Sequence, residues 1–467
     1  MNQSQNRLSS IFLIGIGGSG MSGIAEVLHN LGYKISGSDI SRNDAIKRLE
    51  LMGIKVFLGH KASNLNDAEM VVVSSAIDME NPEIVEANLK GLPVLARAEM
   101  LSSLMNMKRG IAIAGTHGKT TTTSLVASIL QEARLDPTFI NGGIINSFAT
   151  NAKLGKGEYL VAEADESDQS FLMLQPTIAI ITNIEEDHLV NYDNDFENLK
   201  NAFISFVKKL PFDGLLIACG DDPEIVNLLP SFSRTKVTYG FNKGNDYVLR
   251  AYKSEGFKSS FLLSFGNDEV CVRLNMLGRH NALNAAAAFV LALEEGVAIS
   301  DINTALENFM GISRRMQVIG NLNFDEYSST LVDDYGHHPS EIRNTIEAIR
   351  EGHPDKKITM VFQPHRYTRT DDLFDDFLEV LQSVDQLILL DVYSAGEEVI
   401  SGRESSDILL KLKETNNLPV NLMRDKQEII KEIIKSSCSQ EGILLMQGAG
   451  DISLLSQEVY EQLSSLD

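Results

Sequence analysis

Cysteine is scarce in this chain: Cys219, Cys271 and Cys438 are the only three in 467 residues, and no C-x-x-C pair occurs. Such spacing excludes a disulfide frame and a thiolate zinc site and reads as reduced thiols. Long apolar runs are missing too. No stretch reaches the ~18 residues of a membrane span. Residues 1–10 are polar and lack the apolar core of a signal peptide. A cytoplasmic protein with no membrane partner is expected. Positive charge is in deficit, with 41 Lys and Arg against 64 Asp and Glu, a formal charge of −23. That surface repels nucleic acid and anionic lipid, so no nucleic-acid partner is expected. It leaves small anionic ligands open, because a pocket answers to its own cations and backbone dipoles. Neither a solenoid repeat nor a low-complexity run is present. What remains is an ordinary composition, 43% hydrophobic, on a length that suits about three domains.

The most informative stretch is I-A-I-A-G-T-H-G-K-T-T-T-T-S, Ile111 to Ser124. Its apolar start predicts a buried strand. Gly115 and Gly118 let the backbone bend and aim N–H groups at an anion, with Thr116 and His117 between them. Lys119 adds charge, Thr120 a hydroxyl suited to a phosphate-bound magnesium ion, and Thr121 continues into a helix. One departure from the phosphate-loop pattern stands out: Ile113 occupies the position of its first glycine. A plain glycine-rich strand-to-helix turn is the competing reading.

Upstream, the apolar run Ile11–Ile14 precedes G-I-G-G-S-G, with Gly15, Gly17, Gly18 and Gly20, and Asp39 follows at the end of a second predicted strand. By spacing this is a Rossmann dinucleotide fingerprint. Ser74 and Ser75 end another strand, on the edge where such sheets bind ligands. A nicotinamide cofactor and a uridine diphosphate both require a pyrophosphate here, and the motif does not choose between them. A turn needed only for close packing is the bland alternative.

Downstream, strands lead into E-A-D-E-S-D and N-I-E-E-D-H, which puts Glu163 and His188 at strand ends beside the phosphate loop. Carboxylate and imidazole there suit a metal, carboxylate better for magnesium. Among Asp165, Glu166, Asp168, Glu185 and Glu186, several are expected to be merely solvated. Val237 to Cys271 predicts a small β-rich insert. His280 and Asn281 open an alanine-rich helix. After Gly311 a third α/β series begins, and four apolar strands run into D-D-Y-G-H-H-P, Q-P-H-R-Y-T-R, D-V-Y-S-A-G-E and Q-G-A-G-D. Repeated polar strand ends predict one ligand edge of a parallel sheet. Arg366 and Arg369 are spaced to capture a carboxylate or phosphate, or else form surface ion pairs.

Taken in order, G-T-H-G-K-T-T, E-A-D-E-S-D, T-N-I-E-E-D-H, G-R-H-N, R-R-M-Q, D-D-Y-G-H-H-P and Q-P-H-R-Y-T-R resemble the motif series of the Mur ligase family, over about Ile11 to Asp451. The N-terminal G-I-G-G-S-G-M makes the chain most similar to the branch that adds the first amino acid of peptidoglycan. The resemblance implies an α/β fold of three domains. These are an N-terminal Rossmann-like domain (1–107), a central P-loop ATPase domain with the β insert (108–312), and a C-terminal Rossmann-like domain (313–467). It implies an ATP-dependent ligase, using Mg2+, that joins L-alanine to UDP-N-acetylmuramate through an acyl phosphate, as a monomer or homodimer. A recycling ligase that takes a tripeptide is the alternative within the family. A nicotinamide oxidoreductase with a kinase-like module, or a nucleotide-dependent scaffold, are the alternatives outside it.

The implied roles follow the motifs. Gly15, Gly17, Gly18, Gly20, Asp39, Ser74 and Ser75 bind the UDP-sugar. Gly115 to Thr121, His280, Asn281, Arg314, Asp333 and Tyr335 bind ATP. Thr120, Glu163 and His188 hold the metal. Lys119 is catalytic, and His337, Arg366 and Arg369 hold the amino acid. Later ligases of the pathway carry a carbamylated lysine about fifteen residues after the metal histidine. Phe203 stands there instead, as in the alanine-adding branch.

Overall fold

A computed structural model describes residues 8–187, 189–324, 327–415, 418–437 and 441–464. Apolar strands too short to fold alone alternate with amphipathic helices, and this alternation yields three sheets. In the first, β1 (Ser10–Ile14), β2 (Lys34–Asp39), β3 (Lys55–Leu58), β4 (Met70–Val73) and β5 (Val94–Ala96) lie parallel in the order β3-β2-β1-β4-β5. Helices α1 (Ser19–Asn30), α2 (Asp44–Leu51) and α3 (Pro82–Leu89) lie between them, and α4 (Arg97–Met105) follows β5. The order reverses at β1, so the crevice at its carboxyl end is the ligand position of this topology. Phe12, Ile14, Val71 and Ile84 form its core on one side.

The second sheet has ten strands. Its elements are β6 (Arg109–Ala114), α5 (Lys119–Glu132), β7 (Thr138–Ile145), β8 (Thr150–Lys153), β9 (Tyr159–Glu163), β10 (Ile178–Ile181), α6 (Phe196–Val207), β11 (Leu215–Cys219), α7 (Pro223–Leu228), β12 (Thr235–Gly240), β13 (Tyr247–Glu255), β14 (Lys258–Phe265), β15 (Asp268–Leu274), α8 (Arg279–Glu294) and α9 (Ile299–Glu307). The phosphate-loop strand β6 runs parallel between β10 and β9. The β-rich stretch expected over Val237–Cys271 is there as β12–β15, but it continues this sheet. Phe261 and Leu263 are buried alternately along β14, the pattern of a strand with one covered face. Phe203 is fully buried, its ring 5.3 Å from Phe171.

The third sheet follows from β16 (Gln317–Phe324), β17 (Tyr327–Asp334), α10 (Pro339–Gly352), β18 (Lys357–Phe362), α11 (Tyr367–Asp372), α12 (Phe374–Leu381), β19 (Gln386–Leu389), α13 (Ser405–Thr415), β20 (Val420–Leu422), α14 (Lys426–Ser437), β21 (Gly442–Gln447) and α15 (Ile452–Leu463). Its order is β16-β17-β21-β18-β19-β20, with only the β16–β17 pair antiparallel. Separate apolar clusters cover its two faces, one around Ile342, Phe362 and Phe377, the other around Ile430, Leu444 and Val459.

The chain divides into two compact units: Met1–Ala251 with Phe261–Arg273 and Leu283–Met310, and Tyr252–Ser260 with Leu274–Ala282 and Gly311–Asp467. No described helix is long and apolar enough to cross a membrane.

Candidate functional site

In the first unit, the glycine loop after β1 is held by its neighbours. The amides of Gly15 and Ile16 donate to Ser38 O at 2.8 and 3.0 Å. Gly17 N donates to Asp39 Oδ2 at 2.9 Å, and a Cβ on Gly17 would sit equally close to that oxygen. Ser38 is itself anchored: its hydroxyl donates to Glu83, which is fully buried and also accepts from Asn64 Nδ2 at 2.7 Å. Gly18 is the residue before α1 and Gly20 lies in its first turn. Ser74 sits against Gly15, where a Cβ would lie 3.1 Å from its own, while Ser75 is exposed. The expected sugar-nucleotide residues therefore converge on the switch point of the sheet.

The second loop has a different construction. Gly115 (φ +132°) can only be glycine, because a Cβ would lie 2.1 Å from Thr182 Oγ1. Asn183 pins the loop: His117 N donates to its Oδ1 at 2.8 Å, and Thr116 N to its carbonyl at 3.1 Å. Gly118 caps α5 in a left-handed conformation. Lys119 Nζ donates to Gly115 O (2.6 Å) and Thr116 O (3.1 Å) and pairs with Glu166 Oε2 at 2.7 Å. Glu166 is 1% exposed, so it is not among the solvated acids expected in this cluster. Burial opposes the charge on Lys119, yet Glu166 and Asp165 more than offset it and keep the ammonium. Burial likewise pushes the Glu166 carboxyl up, with Lys119 working against it. Thr120 is half-buried, and Thr121 is buried. Glu163 ends β9 in register with Ile113 of β6 and accepts from Gly142 N at 2.6 Å. A hydroxyl and a partly exposed carboxylate, both hard oxygen donors at one sheet edge, fit Mg2+. His188, the third expected ligand, lies outside the described residues.

In the second unit the carboxyl edge gathers the rest. Asp333 is buried, its Oδ1 without a hydrogen-bond partner among the described residues, and Arg314 Nε stands 3.9 Å from its Oδ2. Burial pushes the Asp333 carboxyl up to about 6 despite Arg314. The guanidinium groups of Arg314 and Arg315 each lie 5.0 Å from the Tyr335 ring. Asp334, absent from the expected set, is the hub. It accepts from Met316 N (2.8 Å), Thr345 Oγ1 (3.1 Å) and Gln447 Nε2 (2.8 Å). His337 packs edge-on to Tyr335 and 6.0 Å from His365. His365, also not expected, stacks on Tyr393 at 5.5 Å and meets Arg369 Nη1 at 3.2 Å. Burial lowers His337 to about 4, so it is neutral and a weak base at neutral pH. Arg366 adopts φ +71°, a costly conformation for a residue with a Cβ. Its side chain is 52% exposed, 3.9 Å from Glu397. His280 and Asn281 open α8 and belong to this unit; Asn281 Nδ2 donates to Leu277 O at 2.7 Å, and burial lowers His280 to about 4.

A lysine buried in a glycine-bent loop on a parallel sheet places the chain among the P-loop nucleotide-binding proteins. Three family models match in order. They are the Mur ligase family catalytic domain over residues 10–109, the Mur ligase middle domain over 113–292, and the Mur ligase glutamate ligase domain over 314–450. The chain is similar to the UDP-N-acetylmuramate-alanine ligase MurC of Thermotoga maritima, with 30% identity over 98% of this chain and 100% of that one, TM-score 0.83. It shares its fold with a murein peptide ligase of Psychrobacter arcticus (24% identity, 97% and 98% covered, TM-score 0.71). It shares it also with the MurF ligase of Thermotoga maritima solved in complex with ADP (15%, 93% and 96%, TM-score 0.62). The chain belongs to the Mur ligase family and is an ATP-dependent ligase of peptidoglycan synthesis.

Proposed function

We propose that the protein joins L-alanine to the carboxylate of UDP-N-acetylmuramate in the cytoplasm, converting ATP to ADP and phosphate. The observation that carries this reading is the likeness, along nearly the whole of both chains, to a ligase named for that reaction. Phe203 adds support. The carbamylated lysine of later pathway ligases has no counterpart here, since that position is part of a phenylalanine cluster.

The chemistry follows from the parts. A carboxylate and an amine do not condense in water without activation. The sugar carboxylate is already anionic and needs no base to attack the γ-phosphate. It needs charge neutralisation and in-line placement. Lys119, released from Glu166 by the incoming triphosphate, would supply the first, and the loop amides would orient the phosphates. Thr120 and Glu163 would hold Mg2+, which neutralises phosphate charge when bound. Asp333 Oδ1 would accept from a nucleotide hydroxyl, and Tyr335 with Arg314 would flank the nucleotide. The amine of alanine attacks the acyl phosphate, and the tetrahedral adduct expels phosphate. Arg366 and Arg369 would pair the alanine carboxylate. His337, being neutral, would accept a hydrogen bond from the amine and orient it, while deprotonation of the ammonium precedes attack.

The test is phosphate release from purified protein with ATP, Mg2+ and UDP-N-acetylmuramate. Release that requires L-alanine supports the reading. Release that requires the tripeptide and ignores L-alanine replaces it with the recycling ligase.

A further inference from the structure

In the second sheet, β7 parts from β9 just before Glu163. Thr138, Phe139 and Ile140 register with Leu160, Val161 and Ala162, and the backbone pairing ends there. A side chain takes over: Glu163 Oε1 accepts from Gly142 N at 2.6 Å. A Cβ on Gly142 would lie 2.9 and 3.1 Å from the two Glu163 oxygens, so glycine makes room for the carboxylate. The residue before it is Asn141, 1% exposed and inside a strand, where asparagine is disfavoured. Its Nδ2 donates to Ser124 Oγ at 2.9 Å and to Gly143 O at 2.8 Å. The Gly143 carbonyl fixes which end of the amide is nitrogen, since an oxygen there would face another acceptor. Ser124 is fully buried in α5, and its hydroxyl donates in turn to Thr120 O at 2.7 Å. One side chain thus reaches both expected metal ligands, Thr120 through Ser124 and Glu163 through the Gly142–Gly143 backbone.

Stability does not account for this arrangement. A serine bonded to the carbonyl four residues back gains nothing for a helix, and alanine would suit α5 better. Asn141 Oδ1 is buried without a hydrogen-bond partner among the described residues. An apolar side chain of the same size would not carry that desolvation cost. Strand preference, helix preference and polar satisfaction are all set aside at one point, beside the phosphate loop, which is where function overrides them. The backbone of Asn141 is tied independently, since its carbonyl accepts from Asn151 Nδ2 at 3.3 Å. Truncating the side chain therefore removes the amide and leaves that tie.

We propose that Asn141 is a positioning residue that holds the Thr120 and Glu163 oxygens in place for one divalent cation. This rests on the metal reading of those two residues above. The test is an electron paramagnetic resonance titration of Mn2+, standing in for Mg2+, into protein holding one equivalent of the ATP analogue AMP-PNP. Asn141→Ala should weaken Mn2+ binding about tenfold or more and leave the affinity for UDP-N-acetylmuramate unchanged. Wild-type Mn2+ affinity in a normally melting Asn141→Ala protein overturns the proposal. An equal loss of both affinities overturns it too, because a general loosening of the fold would give that result. Should Asn141→Ala fail to fold, Ser124→Ala decides. It breaks only the Thr120 branch, in a helix that favours alanine, and should weaken Mn2+ binding about threefold or more; wild-type affinity overturns the proposal. Wild-type protein that holds Mn2+ no better than AMP-PNP alone contradicts the metal reading and the proposal together, whereas a wild type that binds Mn2+, with an indifferent Asn141→Ala, contradicts the proposal alone.

Discussion

The two glycine loops of the first unit share one grammar, strand then glycines then helix, and differ in where their charge comes from. The loop after β1 spends its early amides on Ser38 O and Asp39 and carries no cation. The loop after β6 carries Lys119, kept charged under burial by Glu166. Glycine spacing reports that the backbone bends toward an anion. It does not report which side chain completes the site.

Lys119→Ala should show the largest effect, because it removes the loop's own cation. Turnover should fall by about a thousandfold or more, read as ADP release. The protein should also lose about 3 kcal/mol of stability to urea at pH 8, because Glu166, raised by burial to about 7 even beside Lys119, must then take up a proton or stay charged without a partner. Near-normal ATP affinity in the Lys119→Ala protein would erase the contrast between the loops. Glu163→Gln keeps the acceptor for Gly142 N but removes charge. It should raise the Mg2+ needed for half-maximal rate by about tenfold or more and leave the KM for the nucleotide sugar unchanged. In the other loop, Asp39→Ala should raise the KM for the nucleotide sugar about tenfold while kcat and the KM for ATP hold. A joint change in both KM values would show that the loops are not independent.

The smallest effect concerns pH. His280, His337 and His365 are each held near 4 by burial first of all, against about 6.5 in an unfolded chain. Between those values the unfolded state binds more protons, so stability rises with pH from about 4 to 6.5. His280→Gln should flatten that rise in urea titrations at pH 5 and pH 7. An unchanged slope would mean that His280 keeps its ordinary affinity for protons in the fold.

Much of the architecture was legible from the chain alone, because apolar runs that end in polar residues mark parallel strands and their ligand edge. β6 with α5, and the strand ends at Asp334 and Phe362, fall within two residues of where those runs stop. The side chains that complete the sites were less legible. In E-A-D-E-S-D no periodicity says which acid turns inward; only the folded chain, in which Glu166 meets Lys119 Nζ at 2.7 Å, singles it out. Asp333 and Asp334 look alike in sequence, yet neighbours on a strand face opposite ways. One therefore meets Arg314 and the other Thr345, and that alternation was the available signal for the hub. His365 needed Tyr393 from a separate loop, and only the folded chain supplies that contact.

The central claim is that the sugar carboxylate is activated by phosphorylation, and its oxygen carries the record. UDP-N-acetylmuramate labelled with 18O in both carboxylate oxygens should be turned over with ATP and L-alanine, and the released phosphate weighed by mass spectrometry. One labelled oxygen in each phosphate is the predicted result. Phosphate free of label, with amide product still formed, would contradict the account.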